Sequence, residues 1–270
     1  MVSEAIPVRK VDLPFDQQIP NHWLDGSPVA THFFNGLNIV FPDGERFFIR
    51  AVQDHVDKIT DERLRGRIKG FFGQEGWHAH EHERYFAVLE KQGYRIGTFL
   101  RRFHRFIALS NRFMPAALRL SITAGAEHYT ATLGANALDN ALVDRSHPVM
   151  RQLIYWHALE ELEHKSVAFE VLRQTHPSYL LRIAGFTVAT VLLVVWTFTG
   201  MRMLLRQDGI DRHAARAEAL RLRRVTRAQM ERALGKGIRD YLRRDFHPDQ
   251  KDDSAQAARG LAAIADLVTA

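Results

Sequence analysis

Two Glu-x-x-His quartets, Glu75-Gly76-Trp77-His78 and Glu161-Leu162-Glu163-His164, constrain this chain more than any other feature. Residues three apart project from the same face of a helix, so each pair serves one site jointly if its segment is helical. The surrounding sequence agrees. Apolar residues recur at three- and four-residue spacing, whereas alternating Val/Ile/Thr runs bounded by turn pairs do not recur. An all-α fold follows, and 270 residues with 46% hydrophobic content suffice for one large core or a core with a helical appendage.

Breakers and caps divide the chain. Pro7, Pro14 and Pro20 make residues 1–30 an irregular arm. A short helix over 31–40 precedes a first long helix, which opens at Pro42-Asp43-Gly44 and runs to about Ile59. Thr60 is the predicted N-cap of the second long helix, which reaches Gln92 before Gly93 and Gly97. A connecting helix over 98–109 leads to the third, from Pro115 to Leu142. The fourth is capped by Ser146, carries Pro148 in its first turn, and continues to Thr175, where His176-Pro177 stops it. Residues 31–176 are thus the expected bundle. An apolar helix within 177–206 and a basic helical region over 207–270 complete the same domain.

The other two long helices each supply a Glu in apolar surroundings. Glu45 stands beside Phe47 and Phe48, and Glu127 follows Ala124-Gly125-Ala126. Thr60 lies fifteen residues after Glu45 and fifteen before Glu75, and Asp144 lies seventeen after Glu127 and seventeen before Glu161. In antiparallel neighbours each pair is therefore level, the first roughly 22 Å from its turn. One Glu from each of two helices and Glu-x-x-His from each of two others is the ligand pattern of a ferritin-like four-helix bundle with a dimetal centre. Four buried carboxylates would repel one another without cations. With the imidazoles they suit two metal ions, iron first, with Mn or Zn as alternatives. His157, one turn before Glu161, and His82, one turn after His78, are both candidates for a seventh ligand, and His157 is preferred. His80, Glu160 and Glu163 read as solvated. Trp77 and Trp156 read as packing residues, and Tyr129 as satisfied away from the metals.

Composition narrows the chemistry further. The absence of cysteine excludes disulfides, thiolate ligands and cysteine nucleophiles. A formal charge of +6 is concentrated late, among Arg216, Arg221, Arg223, Arg224, Arg227, Arg232, Lys236, Arg239, Arg243 and Arg244. A solvated helix face is the first reading of that stretch and an anionic lipid surface the second. No nucleic-acid motif is present. Met1-Val2-Ser3-Glu4 has no apolar signal core, which predicts a cytoplasmic protein. Residues 183–201, uncharged between Arg182 and Arg202, are long enough to reach across a bilayer, yet equally suit a core or a homodimer interface.

Pro42-Asp43-Gly44-Glu45-Arg46-Phe47-Phe48, Gln74-Glu75-x-x-His78, Ala126-Glu127-His128 and Trp156-His157-x-x-Glu160-Glu161-x-Glu163-His164-Lys165 resemble a bacterial family described as predicted metal-dependent hydrolases. The likeness extends to the apolar helix and Phe246-His247-Pro248. The ligand pattern is also similar to that of di-iron arylamine N-oxygenases, whose extra His lies one turn before the last Glu-x-x-His, where this chain has His157. That resemblance covers the ligand frame alone.

The metal set Glu45, Glu75, His78, Glu127, His157, Glu161 and His164 therefore leads to one expectation and two alternatives. The first is a di-iron oxidoreductase that uses O₂ and an electron donor to oxidise a small apolar substrate, with Phe47, Phe48, Phe71 and Phe72 near the site. The first alternative is a two-metal hydrolase. The second is a non-catalytic metal-binding or membrane-associated protein. A homodimer is expected under each.

Overall fold

The computed structural model describes residues 6–267. The Met1-Val2-Ser3-Glu4 start and the last three residues of the basic region lie outside the described residues. Within them the chain is all-α, and the sole β feature is an isolated bridge between Leu24 and Ser146.

The arm is irregular, as its prolines predict, but it is not peripheral. Val11, Leu13, Ile19, Trp23 and Leu24 are buried in the main core. Burying irregular backbone requires partners for its polar groups. The Trp23 carbonyl accepts from the His147 amide, and the Trp23 indole donates to Asn35 Oδ1 and the Tyr85 hydroxyl.

α1 (Pro28–Asn38) starts earlier than expected because Ser27 caps it, accepting from the Ala30 amide. α2 (Phe41–Gln53) stops short of Ile59, and a single 3₁₀ turn (Val56–Lys58) fills the gap. Asp61, not Thr60, caps α3 (Glu62–Lys91), accepting from the amides of Arg63 and Leu64. A carboxylate one residue further on displaces the hydroxyl, because it also suits the positive helix end. α4 (Gly97–Phe113) crosses to α5 (Ala116–Leu138), and one short turn, α6 (Ala141–Asp144), follows. α7 begins at Pro148 with His147 before it. The Ser146 hydroxyl donates to the Val143 carbonyl and so does not cap that helix.

The expected fourth helix is two. α7 (Pro148–His164) ends at the second His of the motif, and α8 (Val167–Thr175) resumes after Lys165-Ser166. Both break residues are tied outward. Lys165 donates to the Lys251 carbonyl and Asp253, and Ser166 Oγ accepts from Arg67.

α2 and α3 run antiparallel: Glu45 lies near His78 and Arg46 pairs with Glu83, while Val52 further along packs with Leu64 and Ile68. α5 and α7 face each other, closely enough that Gly134 meets the Ala158 backbone.

α9 (Tyr179–Gln207) is longer than the uncharged run inside it. It is long and apolar enough to cross a membrane by length and composition. One face packs on α5 and α1, where Gly185 and Gly200 permit close approach. A methyl group at Gly185 would overlap Ser121. The other face leaves Val191 54% exposed and Val195 51% exposed. α10 (Arg212–Met230) is basic and joins α11 (Lys236–Tyr241) through a π-helical turn. α12 (Ser254–Ala263) returns to α7, where Gly260 meets Leu159.

Candidate metal centre

Helices α2, α3, α5 and α7 bring Glu45, Glu75, His78, Glu127, His157, Glu161 and His164 into one buried cluster. Thr60 and Asp144 both lie within the connections, residues 54–61 between α2 and α3 and 139–147 between α5 and α7. His164 Nε2 lies 3.1 Å from Glu75 Oε1, 3.2 Å from Glu127 Oε2 and 3.3 Å from Glu161 Oε2. His78 Nδ1 lies 3.8 Å from Glu75 Oε1 and 3.9 Å from Glu161 Oε1. His157 Nε2 is 2.8 Å from Glu161 Oε1 and 3.8 Å from Glu45 Oε1.

His157 and Glu161 Oε1 form a hydrogen bond, but the other short approaches do not have hydrogen-bond directions. Both carboxylate oxygens of Glu45, Glu75 and Glu127 are buried without a hydrogen-bond partner, as are Glu161 Oε2, His78 Nδ1 and His164 Nε2. Buried polar atoms are nearly always paired, and leaving a charged one unpaired costs several kcal/mol. So many orphaned lone pairs converging on one point fit bound cations, and the donor set of oxygen and imidazole nitrogen suits iron, manganese or zinc.

The electrostatics agree. Burial, with repulsion from Glu75, Glu161 and Glu127, holds Glu45 well above the usual carboxylate range. Burial and Glu127 do the same to Glu75, and burial pushes Glu127 to about 7. For Glu161 the upward effect of burial is outweighed by His164 and His157, and it stays well below the range. His164 is pulled the other way. Burial disfavours its charge, but Glu161 and Glu127 raise it well above the usual imidazole value. Without metal, a proton on His164 Nε2 does the neutralising that a cation would do.

The remaining imidazole nitrogens are held from outside. His78 Nε2 donates to Glu160 Oε2 at 3.0 Å, and His164 Nδ1 donates to Gln74 Oε1 at 2.8 Å. Each bond fixes the tautomer that turns the other nitrogen's lone pair inward, the usual outer partner of a metal-binding His. The two supports are reciprocal. The residue before the Glu of each motif holds the His of the other motif.

Glu160 is therefore not solvated. It is fully buried, burial pushes it to about 8, and the arm meets it through the Arg9 amide at 3.1 Å and guanidinium at 3.4 Å. Arg9 also grips Glu163 through two 2.7 Å bonds, and Gln74 donates to Glu163 and the Pro7 carbonyl. Gln74 and Glu160 are the residues that motif reading missed. The signal available was the repeated form acid-or-amide, Glu, two residues, His.

His157 stands on the cluster and His82 stands behind it, with His82 Nε2 2.7 Å from His157 Nδ1. His80 is exposed as expected. Tyr129 bonds Thr190 and stacks on Phe186, away from the cluster. Trp156 packs edge-on against His78, and Phe71 edge-on against His164. A pocket reaches the cluster beside His82, His157 and Glu161, lined otherwise by Phe34, Phe41 and Leu153 among others.

A second group, His22, His32 and Asp208, also has metal-ligand composition. Its hydrogen bonds satisfy it instead. Trp23 and Tyr85 donate to Asn35 Oδ1, so the Asn35 amide nitrogen faces His32 Nδ1. Nδ1 then accepts, and His32 Nε2 carries the proton given to Asp208 at 2.6 Å. Both His32 nitrogens are thereby engaged within the protein.

Fold and cluster together define an all-helical protein with a buried carboxylate–imidazole site for metal. The family model described as a predicted metal-dependent hydrolase matches residues 7–252, and the chain belongs to that family. No curated protein and no solved structure matches it.

Proposed function

We propose that this protein is a metal-dependent hydrolase whose centre holds two divalent ions among Glu45, Glu75, His78, Glu127, Glu161 and His164, in a ferritin-like arrangement of α2, α3, α5 and α7. The observation that carries this reading is the set of buried, unpartnered carboxylate oxygens facing two imidazole nitrogens. Metal bound there supplies Lewis acidity toward an acceptor oxygen and a lowered pKa for water. The chain's own groups do the rest. Glu160 and Gln74 hold the two imidazoles in register, while Trp156 and Phe71 close the site against bulk water. His157, bonded to Glu161 and backed by His82, lines the pocket and is placed to take and pass a proton.

A second reading, oxidation of a small apolar substrate with O₂ and an electron donor at two irons, is favoured by one observation. His157 Nε2 faces the same cluster as the six other side chains, where it would serve as a seventh ligand. The two readings differ in the role of His157 and in the metal. Elemental analysis of the purified protein, followed by anaerobic Fe(II) loading and admission of air, separates them. Zinc or manganese with ester or amide hydrolysis and no response to O₂ supports the first, whereas two irons with a transient visible band support the second. A homodimer through the exposed face of α9, and a cytoplasmic protein resting on a membrane surface, remain parts of this proposal that the same preparation tests by sizing with and without detergent.

A further inference from the structure

The pocket at His157 and Glu161 has a neighbour. It shares the lining residues Phe41, Thr130 and Leu193 with a second cleft, bordered by α2, α4, α5 and α9. That cleft is lined by aromatic and aliphatic side chains such as Phe47, Phe48, Phe103, Phe106, Leu192 and Trp196. Trp196 meets the rings of Phe103 and Phe106 across the gap between α4 and α9. A substrate small enough for the metal centre alone needs no such extension, and an apolar lining with polar groups at one end selects an amphiphile.

The surroundings have matching chemistry. On α9, Val191, Val194, Val195 and Phe198 are exposed beside the lining residues Leu192, Leu193 and Trp196. On α4, Arg101, Arg102, Arg105 and Arg112 are exposed, and none makes an ion pair among the described residues. Exposed aliphatic side chains on one helix that borders the cleft, and arginines without ion pairs on another, match the tail and the anionic head of a lipid.

We infer that the cleft between α2, α4, α5 and α9 holds the long hydrocarbon tail of an acyl ester or amide whose carbonyl group lies at the Glu161–His157 end. This rests on the hydrolase reading. In the reaction, water adds to the acyl carbon and the bond from it to the alcohol oxygen or amine nitrogen breaks. The products are a long-chain carboxylic acid and an alcohol or amine, the proton passing to the leaving group.

Palmitate, a product-like probe, tests this on the full-length protein as purified. Calorimetric titration should show palmitate bound and hexanoate bound at least about 100-fold more weakly, since a buried methylene is worth roughly fourfold in affinity. Binding should carry a negative heat-capacity change. Gly44 lines the cleft, and a Cβ there would meet nothing within 4 Å. Gly44→Phe therefore adds a ring at the cleft wall from a position where its first carbon has room, and Leu192→Trp narrows the cleft from α9. Either variant should retain its metal and lose palmitate. Equal affinity for the two acids, or undiminished palmitate binding by both variants, overturns the inference. Metal content is counted in parallel. Metal without palmitate binding rejects the tail cleft and leaves the metal reading standing, whereas palmitate without metal does the reverse. Sedimentation with phosphatidylglycerol vesicles identifies the source of the chain. Co-sedimentation weakened by Val195→Glu shows uptake from a bilayer, and palmitate binding without co-sedimentation shows uptake from solution.

Discussion

His78 turns Nε2 to Glu160, 3.0 Å away on α7, and His164 of α7 turns Nδ1 to Gln74, 2.8 Å away on α3. Each helix thus braces the imidazole that the other contributes. Glu160→Gln keeps the shape but weakens the acceptor. It should lower metal affinity by about 10- to 100-fold, the usual effect of losing such a partner, with unchanged helix content. Competitive metal titration against a chelator checks this, and wild-type affinity would mean that Glu160 is only a buried neighbour.

Glu75→Gln should separate stability from binding. In the metal-free protein Glu75 is held well above the carboxylate range by burial first and Glu127 second. Replacing it removes a repulsive group from the apo cluster and a ligand from the loaded one. The variant should lose metal, yet its metal-free form should melt no lower than metal-free wild type at pH 8. A lower melting temperature would contradict the crowding described above.

Stability of the metal-free protein should fall as pH rises from about 6.5 to 8. Glu45, Glu75, Glu127 (about 7) and Glu160 (about 8) have folded pKa values raised, chiefly by burial. Such groups hold more protons folded than unfolded, so their stabilisation is present at low pH and is lost as pH climbs through the folded value. His164, also raised, acts in the same direction. His78 and His82 are lowered, by burial and His157, and act oppositely, but their contribution is complete above the unfolded value of about 6.5. Glu161, lowered, completes its own nearer 4. Thermal melts with and without metal across this window check the sign, and metal should flatten the slope.

Arg9→Ala should loosen the arm and the site together. The guanidinium makes two 2.7 Å bonds to Glu163 and one longer bond to Glu160. Losing these charge-assisted contacts should cost about 1–3 kcal/mol, and metal affinity should drop modestly because Glu160 and Gln74 lose their own support. Denaturant melts and chelator competition read the two effects separately.

Gly185→Ala should destabilise the α5–α9 contact by about 1–3 kcal/mol, because the added methyl overlaps Ser121. The same change at Gly44, where the space is open, should not. Paired thermal melts distinguish a packing glycine from one that borders a cavity.

The Glu-x-x-His pairs were legible because a three-residue spacing fixes both a helix and a face. Glu127 was legible because small apolar neighbours surround it. Glu160 was misread because a carboxylate beside a ligand lies about 100° round the helix, where a solvated face is the ordinary outcome. Only the packing of α3 on α7, together with Arg9, buries it. Helix ends fared worse than helix faces. Asp61 took the cap from Thr60, and the break at Lys165-Ser166 has no proline or glycine to announce it. Its cause lies in Lys251, Asp253 and Arg67, distant in sequence. In the same way Gly185 and Gly200 dilute the apolar run when read as composition, but in the fold they let α9 lie against its neighbours.

That break after His164 has an electrical consequence. A helix that stopped at Thr175 would carry its partial negative charge far from the cluster, whereas α7 stops at His164 itself. The unpaired carbonyl end of a helix favours cations within about its last turn. The backbone of α7 therefore adds to the pull of Glu75, Glu127 and Glu161 on a divalent ion, in a way that no side-chain substitution removes. A variant stripped of one carboxylate keeps that residual field, so the loss of metal on mutating a ligand should be graded by ion charge, trivalent ions being retained longest.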